Sequence, residues 1–134
     1  MQSDWATTLR TSGAHIAEGE VAHFGDPLRE TRAAAEADVC ADLSHLGLIR
    51  AEGADTESFL QGQLSNDVRL VTHAHSQLSA YCNPKGRMLA ILRLFKRDDA
   101  YFLQLPLALL EPTLKRLSMF VLRAKVKLQA ESAL

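Results

Sequence analysis

From residue 43 onward the spacing of apolar residues switches between two periods, and each switch predicts a new element. Residues 43–52, centred on Leu46, Leu48 and Ile49, read as a strand ending at Gly53. Asp55 is placed to cap a helix running from 56 to about 64, with Glu57 in its first turn and Phe59, Leu60 and Leu64 on its buried side. Residues 77–83 alternate as a strand and lead into Asn83-Pro84-Lys85-Gly86. Asparagine first, proline second and glycine fourth suit a type I turn. Residues 88–97 follow, and Met88, Leu89, Ala90, Ile91 and Leu92 are apolar without alternation. That pattern predicts a central strand buried on both faces.

Asp98-Asp99 turns the chain into a strand over 100–105. A helix then runs to about Leu122, with Leu110, Leu114, Leu117 and Val121 as its apolar stripe and Pro112 in its first turn or at a kink. Residues 125–130 alternate cleanly as a half-buried strand. Before residue 41 the pattern is weaker. It predicts a short helix over 3–12 around Trp5 and Leu9, then extended or irregular chain over 13–25. A second helix starts at Asp26-Pro27 and runs through an alanine-rich stretch to about Asp38.

The order from residue 43 is β-α-β-β-β-α-β. It predicts an α+β fold: a ferredoxin-like split β-α-β with an extra hairpin strand, two helices on one face of an antiparallel sheet. Residues 1–40 form a separate helical or irregular segment on this reading, and 41–134 form the ferredoxin-like part.

Size and composition leave this picture intact. A chain of 134 residues with 47% hydrophobic and 23% charged residues is globular and of one-domain size. Its longest apolar run is too short for a bilayer, and the first residues lack the basic and apolar regions of a signal peptide. Cys40 and Cys82 form neither a zinc pattern nor a disulfide framework, so the cytoplasm is the expected compartment. The net charge of −1 conceals an asymmetry: residues 1–67 hold 4 Lys/Arg against 12 Asp/Glu, a net of −8, and residues 68–134 hold 11 against 4, a net of +7. The two halves either neutralise each other or present a basic face to an anionic partner.

Candidate chemistry concentrates between Phe59 and Arg87. Ser65-Asn66-Asp67 is either the polar end of a helix or a carboxylate at a pocket edge, able to hold an amine or the N–H edge of a heterocycle, or to act as a general base. Lys85 and Arg87 either keep a hairpin tip soluble or bind a carboxylate or phosphate, with Arg87 as the planar fork and Lys85 as the point charge. Gln61 and Gln63 do not by themselves mark a site. Cys82 reads as a small strand residue, since no base or helix N-terminus lies beside it. His73 and His75 have i, i+2 spacing on a predicted loop and read as solvated histidines, and no metal is expected. His45, at the start of a strand, is placed to be buried or near a ligand. Residues 85–91 superficially resemble the start of an RNA-recognition signature but lack its stacking aromatics, so direct nucleic-acid binding is not expected.

Taken together, Phe-Leu-Gln-Gly-Gln-Leu-Ser-Asn-Asp-Val (59–68), Pro-Lys-Gly-Arg-Met (84–88) and Leu-Arg-Leu-Phe (92–95) carry a resemblance. So do Asp-Leu-Ser-His-Leu-Gly (42–47) and Gly-Ala-Asp (53–55). In this order the strings resemble the N-terminal part of YgfZ-type folate-binding proteins, relatives of the glycine cleavage T protein, over about residues 38–130. The Pro-Lys-Gly-Arg hairpin is typical of the YgfZ branch; T proteins carry Gly-Gly and then an acidic pair there. The resemblance implies a tetrahydrofolate-binding protein that supports assembly or repair of iron–sulfur enzymes, including radical enzymes that modify tRNA. It carries Asn66 and Asp67 over as folate contacts; Tyr81 is expected among the folate-binding residues with them, and Lys85 and Arg87 are expected to hold the anionic tail of the folate or to contact a partner. No catalytic residue is assigned, and a tetrahydrofolate-dependent aminomethyltransferase or a folate-free interaction module are the alternatives. The family's Lys-Gly-Cys-Tyr/Trp-x-Gly-Gln-Glu motif is absent from the chain. The expectation is therefore a fragment or short member with an incomplete folate cavity, no membrane association, and an exposed apolar surface able to drive self-association.

Overall fold

The computed structural model describes residues 3–131 of the chain. They fall into two compact units that divide between His45 and Leu46. In the first unit, helix α1 (Ser3–Thr11) precedes a short hairpin of β1 (His15–Ala17) and β2 (Glu20–His23), followed by helix α2 (Pro27–Glu36). The two hairpin-turn residues, Glu18 and Gly19, have φ of +51° and +87°, a turn whose twist suits paired strands. It explains why the mixed-polarity stretch after residue 13 makes a hairpin that the apolar pattern does not announce. Asp26 caps α2 by accepting from the Arg29 amide at 3.1 Å, and Glu30 reaches back to the amides of Phe24 and Asp26.

The second unit consists of β3 (Leu46–Glu52), α3 (Thr56–Gln61), a turn of 3-10 helix (Val68–Leu70), β4 (Gln77–Cys82), β5 (Met88–Arg97), β6 (Ala100–Pro106), α4 (Leu107–Val121) and β7 (Lys127–Glu131). Its five strands lie in the order β4-β5-β6-β3-β7, each antiparallel to its neighbours. One face of the sheet is buried with α3 and α4: Ile49, Leu92, Leu94, Leu103 and Leu105 pack into one core with Leu60 and Leu117. Gly47 admits α4 closely; a Cβ there would stand 3.1 Å from the Leu110 side chain. The fold is α+β.

Three local expectations are corrected. Strand β5 lies inside the sheet but is buried on one face only. Ala90, Leu92 and Leu94 point into the core, while Ile91 and Met88 are 54% and 57% exposed. Both helices of this unit feed the same core, so the other face of β5 has no cover. Continuous burial belongs instead to β6, where Ala100, Tyr101, Phe102 and Leu103 are all buried and Phe102 stacks on Phe95 at 5.3 Å.

Asp55 does not cap α3. Its Oδ2 accepts from the Lys125 amide at 2.7 Å, and its own amide donates to the Lys125 carbonyl at 3.3 Å, which ties α3 to the start of β7. Thr56 Oγ1 donates to the Gly53 carbonyl at the helix entrance instead. Gly53, with φ of +126°, lies directly beneath the Lys125 carbonyl, where no side chain fits. Helix α3 stops at Gln61, three residues early, and Pro112 lies inside α4 beyond its first turn.

Candidate ligand-binding surface of the second unit

Residues 64–67 run alongside β4 as an informal sixth strand. Leu64 bridges Tyr81, and the Ser65 amide donates to the Ala80 carbonyl at 3.0 Å. Ser65 Oγ accepts from the Ala80 amide at 2.9 Å. Asn66 donates its side-chain amide to the Leu78 carbonyl at 2.6 Å and its backbone amide to Ser79 Oγ at 3.1 Å. Gln77 Nε2 reaches the Asp67 carbonyl, and Gln61 Oε1 accepts from the Val68 amide at 2.7 Å. The polar string that interrupts the hydrophobic pattern therefore satisfies backbone groups along an otherwise open sheet edge. Gln61, inconspicuous in sequence, is part of that lining.

The Asp67 carboxylate is occupied. Oδ1 accepts from Arg69 Nε at 2.8 Å and the Arg69 amide at 3.1 Å, and Oδ2 accepts from Arg69 Nη2 at 2.7 Å. This bidentate grip holds the carboxyl below its usual pKa, outweighing the opposing effect of desolvation. Arg69 was not singled out from sequence. Its only signal was a cation two residues after the carboxylate, which becomes a contact because a tight turn folds between them.

The hairpin after β4 is a type I turn as expected, with Gly86 at φ of +77° and its amide bonded to the Asn83 carbonyl at 2.9 Å. Asn83 Oδ1 accepts from the amides of Lys85 and Arg87 at 3.0 and 2.9 Å, so asparagine organises the whole loop. The side chains of Lys85 and Arg87 are exposed and, among the described residues, form no hydrogen bond or ion pair.

These candidates do not converge on one small ligand. Asp67 faces Gln77 at one end of β4, and the Lys85–Arg87 turn follows Cys82 at the other. Five strand steps separate the ends, about 17 Å. Between them the uncovered face of the sheet presents Leu78, Ala80, Ile91 and Arg93, joined by the pairs Leu78–Arg93 and Ala80–Ile91. Leu78 and Ile91 are more than half exposed. Tyr81 points the other way, into the core beside α4, where burial pushes its phenol pKa up while the Arg116 guanidinium pulls against that rise.

The remaining sequence candidates are structural or solvated. His73 Nε2 lies 3.0 Å from the Asp98 carbonyl, pinning its loop to the β5–β6 turn, and His45 and His75 are exposed. No cluster of three metal-ligating side chains occurs among the described residues. Cys40 is an exposed free thiol and Cys82 a half-buried one. Among the described residues no helix is long and apolar enough to cross a membrane.

Comparison with known proteins gives a consistent set of relatives. The chain is 36% identical over 85 residues to the tRNA-modifying protein YgfZ of Colwellia psychrerythraea, which covers 63% of this chain and 26% of that protein. It is 38% identical over 93 residues to the tRNA-modifying protein YgfZ of Photorhabdus laumondii, covering 69% of this chain and 28% of that protein. No protein-family model matches the chain. Among solved structures, the glycine cleavage system aminomethyltransferase T from Bartonella henselae superposes with a TM-score of 0.73 at 20% identity, over 96% of this chain and 37% of that one. That likeness speaks to the fold. The chain spans about a quarter of the length of the curated relatives it matches.

Proposed function

We propose, for a chain that is similar to part of the YgfZ-type proteins, that it supplies one wall of a tetrahydrofolate site and serves iron–sulfur enzymes that modify tRNA. The observation that carries this reading is the sequence likeness to tRNA-modifying YgfZ proteins, 36% and 38% identical in the two cases above. The arrangement of β3, α3, β5, β6, α4 and β7 is read as a ferredoxin-like split β-α-β, with β4 added beside β5. The chain is assigned to the cytoplasm on the same basis as its relatives' work on tRNA.

The uncovered sheet face suits an elongated amphipathic ligand. A flat pterin lies over Leu78 and Ile91, with its N–H edge toward Asp67 and Asn66 at the Gln77 end of β4. The glutamyl carboxylates reach Lys85 and Arg87 at the other end. Asp67 is available once the exposed Arg69 swings away from it. Tyr81 supports the strand from behind. The hairpin Pro84-Lys85-Gly86-Arg87 is not the Gly-Gly and acidic pair that the resemblance associates with T proteins, so the aminomethyltransferase reading is not preferred.

The test is a titration of the 134-residue chain with 5-formyltetrahydrofolate, followed by calorimetry and backbone amide shifts. Saturable binding is expected, with shifts along 78–91. Lys85→Ala with Arg87→Ala is expected to weaken binding about tenfold or more, as for the loss of charge-assisted hydrogen bonds. Unchanged affinity in Asp67→Ala removes Asp67 from the site, and no saturable binding either to this chain or to a full-length relative carrying the same strings overturns the folate reading. The biological arm is mass spectrometry of thiolated tRNA nucleosides in a strain lacking the gene, where a fall is expected.

A further inference from the structure

We propose that the groove between α4 and the β4–β5 hairpin is a second site, which binds a small carboxylic acid with an apolar body. The groove encloses about 440 Å³, within the range of small-molecule pockets. It lies on the helix side of the sheet, so it is separated by β4 and β5 from the uncovered face that carries Leu78 and Ile91.

Its walls are apolar: Leu89 on the strand side, Leu109 and Met119 on the helix side. Leu89 reaches it through a bulge. Tyr81 pairs with Ala90 and Cys82 with Met88, which leaves Leu89 as the unpaired extra residue and re-aims its side chain. Tyr81 and Arg116 line the groove, and Lys115 adds a second cation.

The polar groups are poised for an anion. Arg116 Nε is shielded from solvent and has no hydrogen-bond partner, a condition that buried N–H groups rarely keep without a ligand or water. Its guanidinium lies close enough to Tyr81 to oppose the rise of the phenol pKa that burial causes. Burial outweighs that pull, so the phenol stays a neutral donor at physiological pH. No aspartate or glutamate lines the groove. A carboxylate there receives the fork of Arg116 and the hydroxyl of Tyr81, and its hydrocarbon part covers Leu89 and Met119. A phosphate would match the charge but leave the apolar walls bare, and an apolar ligand without an acid would leave Arg116 Nε unpaired.

The experiment titrates 4-phenylbutyrate and its neutral analogue 4-phenylbutyramide into the labelled 134-residue chain. Saturable shifts are expected at residues 113–119 and at Leu89, with the amide binding about tenfold or more weakly. Arg116→Gln is expected to lower affinity by a similar factor, and Tyr81→Phe by less. Leu89→Ala and Lys115→Ala, both at exposed positions, are expected to weaken binding in chains that remain folded, so the proposal does not depend on the stability of the Arg116 variant. Saturating 5-formyltetrahydrofolate is expected to leave the probe bound. Equal affinity for acid and amide, shifts confined to the hairpin tip or the uncovered face, or equal competition by inorganic phosphate overturns the assignment. Displacement by 5-formyltetrahydrofolate also overturns it, since the groove would then belong to the folate site.

Discussion

Arg69 closes on Asp67 with both arms of its guanidinium, Nε on Oδ1 at 2.8 Å and Nη2 on Oδ2 at 2.7 Å, across a turn of only two residues. The pair is largely solvent-facing, with Arg69 68% exposed, so it orients the carboxylate more than it stabilises the fold. The Asp67 pKa is depressed mainly by the Arg69 hydrogen bond. A depressed folded-state pKa means that any stabilisation is present above the unfolded carboxyl value and fades as pH falls through the folded one. Carbon-detected titration of Asp67 is expected to show a midpoint below that of a free aspartate, moving up toward the ordinary value in Arg69→Ala. An unchanged midpoint would mean that Arg69 does not hold the carboxylate in solution.

Tyr101 offers a second titration. Its hydroxyl donates to Glu57 Oε2 at 2.9 Å, and burial followed by that acceptor raises its pKa to about 12. Because the folded value exceeds the unfolded one of about 10, the contribution is complete below pH 10 and is lost as pH rises toward 12. The chain has two tyrosines, and burial raises the pKa of the other, Tyr81, as well. Ultraviolet titration is expected to show no normal tyrosine ionisation in the folded chain. Glu57→Gln is expected to bring the Tyr101 midpoint part of the way down, leaving the share due to burial.

The Asp55–Lys125 contact joins residues 70 positions apart in sequence. Asp55→Ala leaves the Lys125 amide without its acceptor and is expected to cost about 1–3 kcal/mol in urea denaturation. Asp55→Asn keeps an acceptor and should cost less. If both variants match the parent within error, the contact contributes nothing measurable.

One-sided burial of β5 makes a paired prediction. Leu92 is 1% exposed, and Leu92→Ala is expected to cost about 2–5 kcal/mol. Its neighbour Ile91 points away from the core, so Ile91→Thr should change stability by about 0.5 kcal/mol or less. Comparable losses at both positions would show that the uncovered face is covered in solution, for instance by a second copy of the chain, which sedimentation would then detect.

Much of the element order was readable from local pattern. Each helix and strand predicted after residue 43 occurs, because alternation and helical spacing report which side of an element meets the core. The Asn83-Pro84-Lys85-Gly86 turn was readable for the same local reason, since its residues satisfy one another within a few bonds. Two of the misreadings are questions of what lies opposite. The string Met88–Leu92 carries no mark that helices gather on one face alone, and Asp55 carries no mark that the Lys125 amide will arrive beside it. Glu18 and Gly19 make a hairpin through positive φ, which hydrophobicity does not encode.

The candidate site divides along the same line. Sequence alone supplied the chemical types, a carboxylate at Asp67 and two cations at Lys85 and Arg87, and the strings that tie them to YgfZ-type proteins. Only the tertiary structure placed them at opposite ends of β4, paired Asp67 with Arg69, and turned Tyr81 away from them toward Arg116. The physical reason is that a strand spaces its residues along some 3.3 Å per step and alternates them between faces. Neighbours in sequence are thereby separated in space, and partners are chosen by whichever element packs against each face.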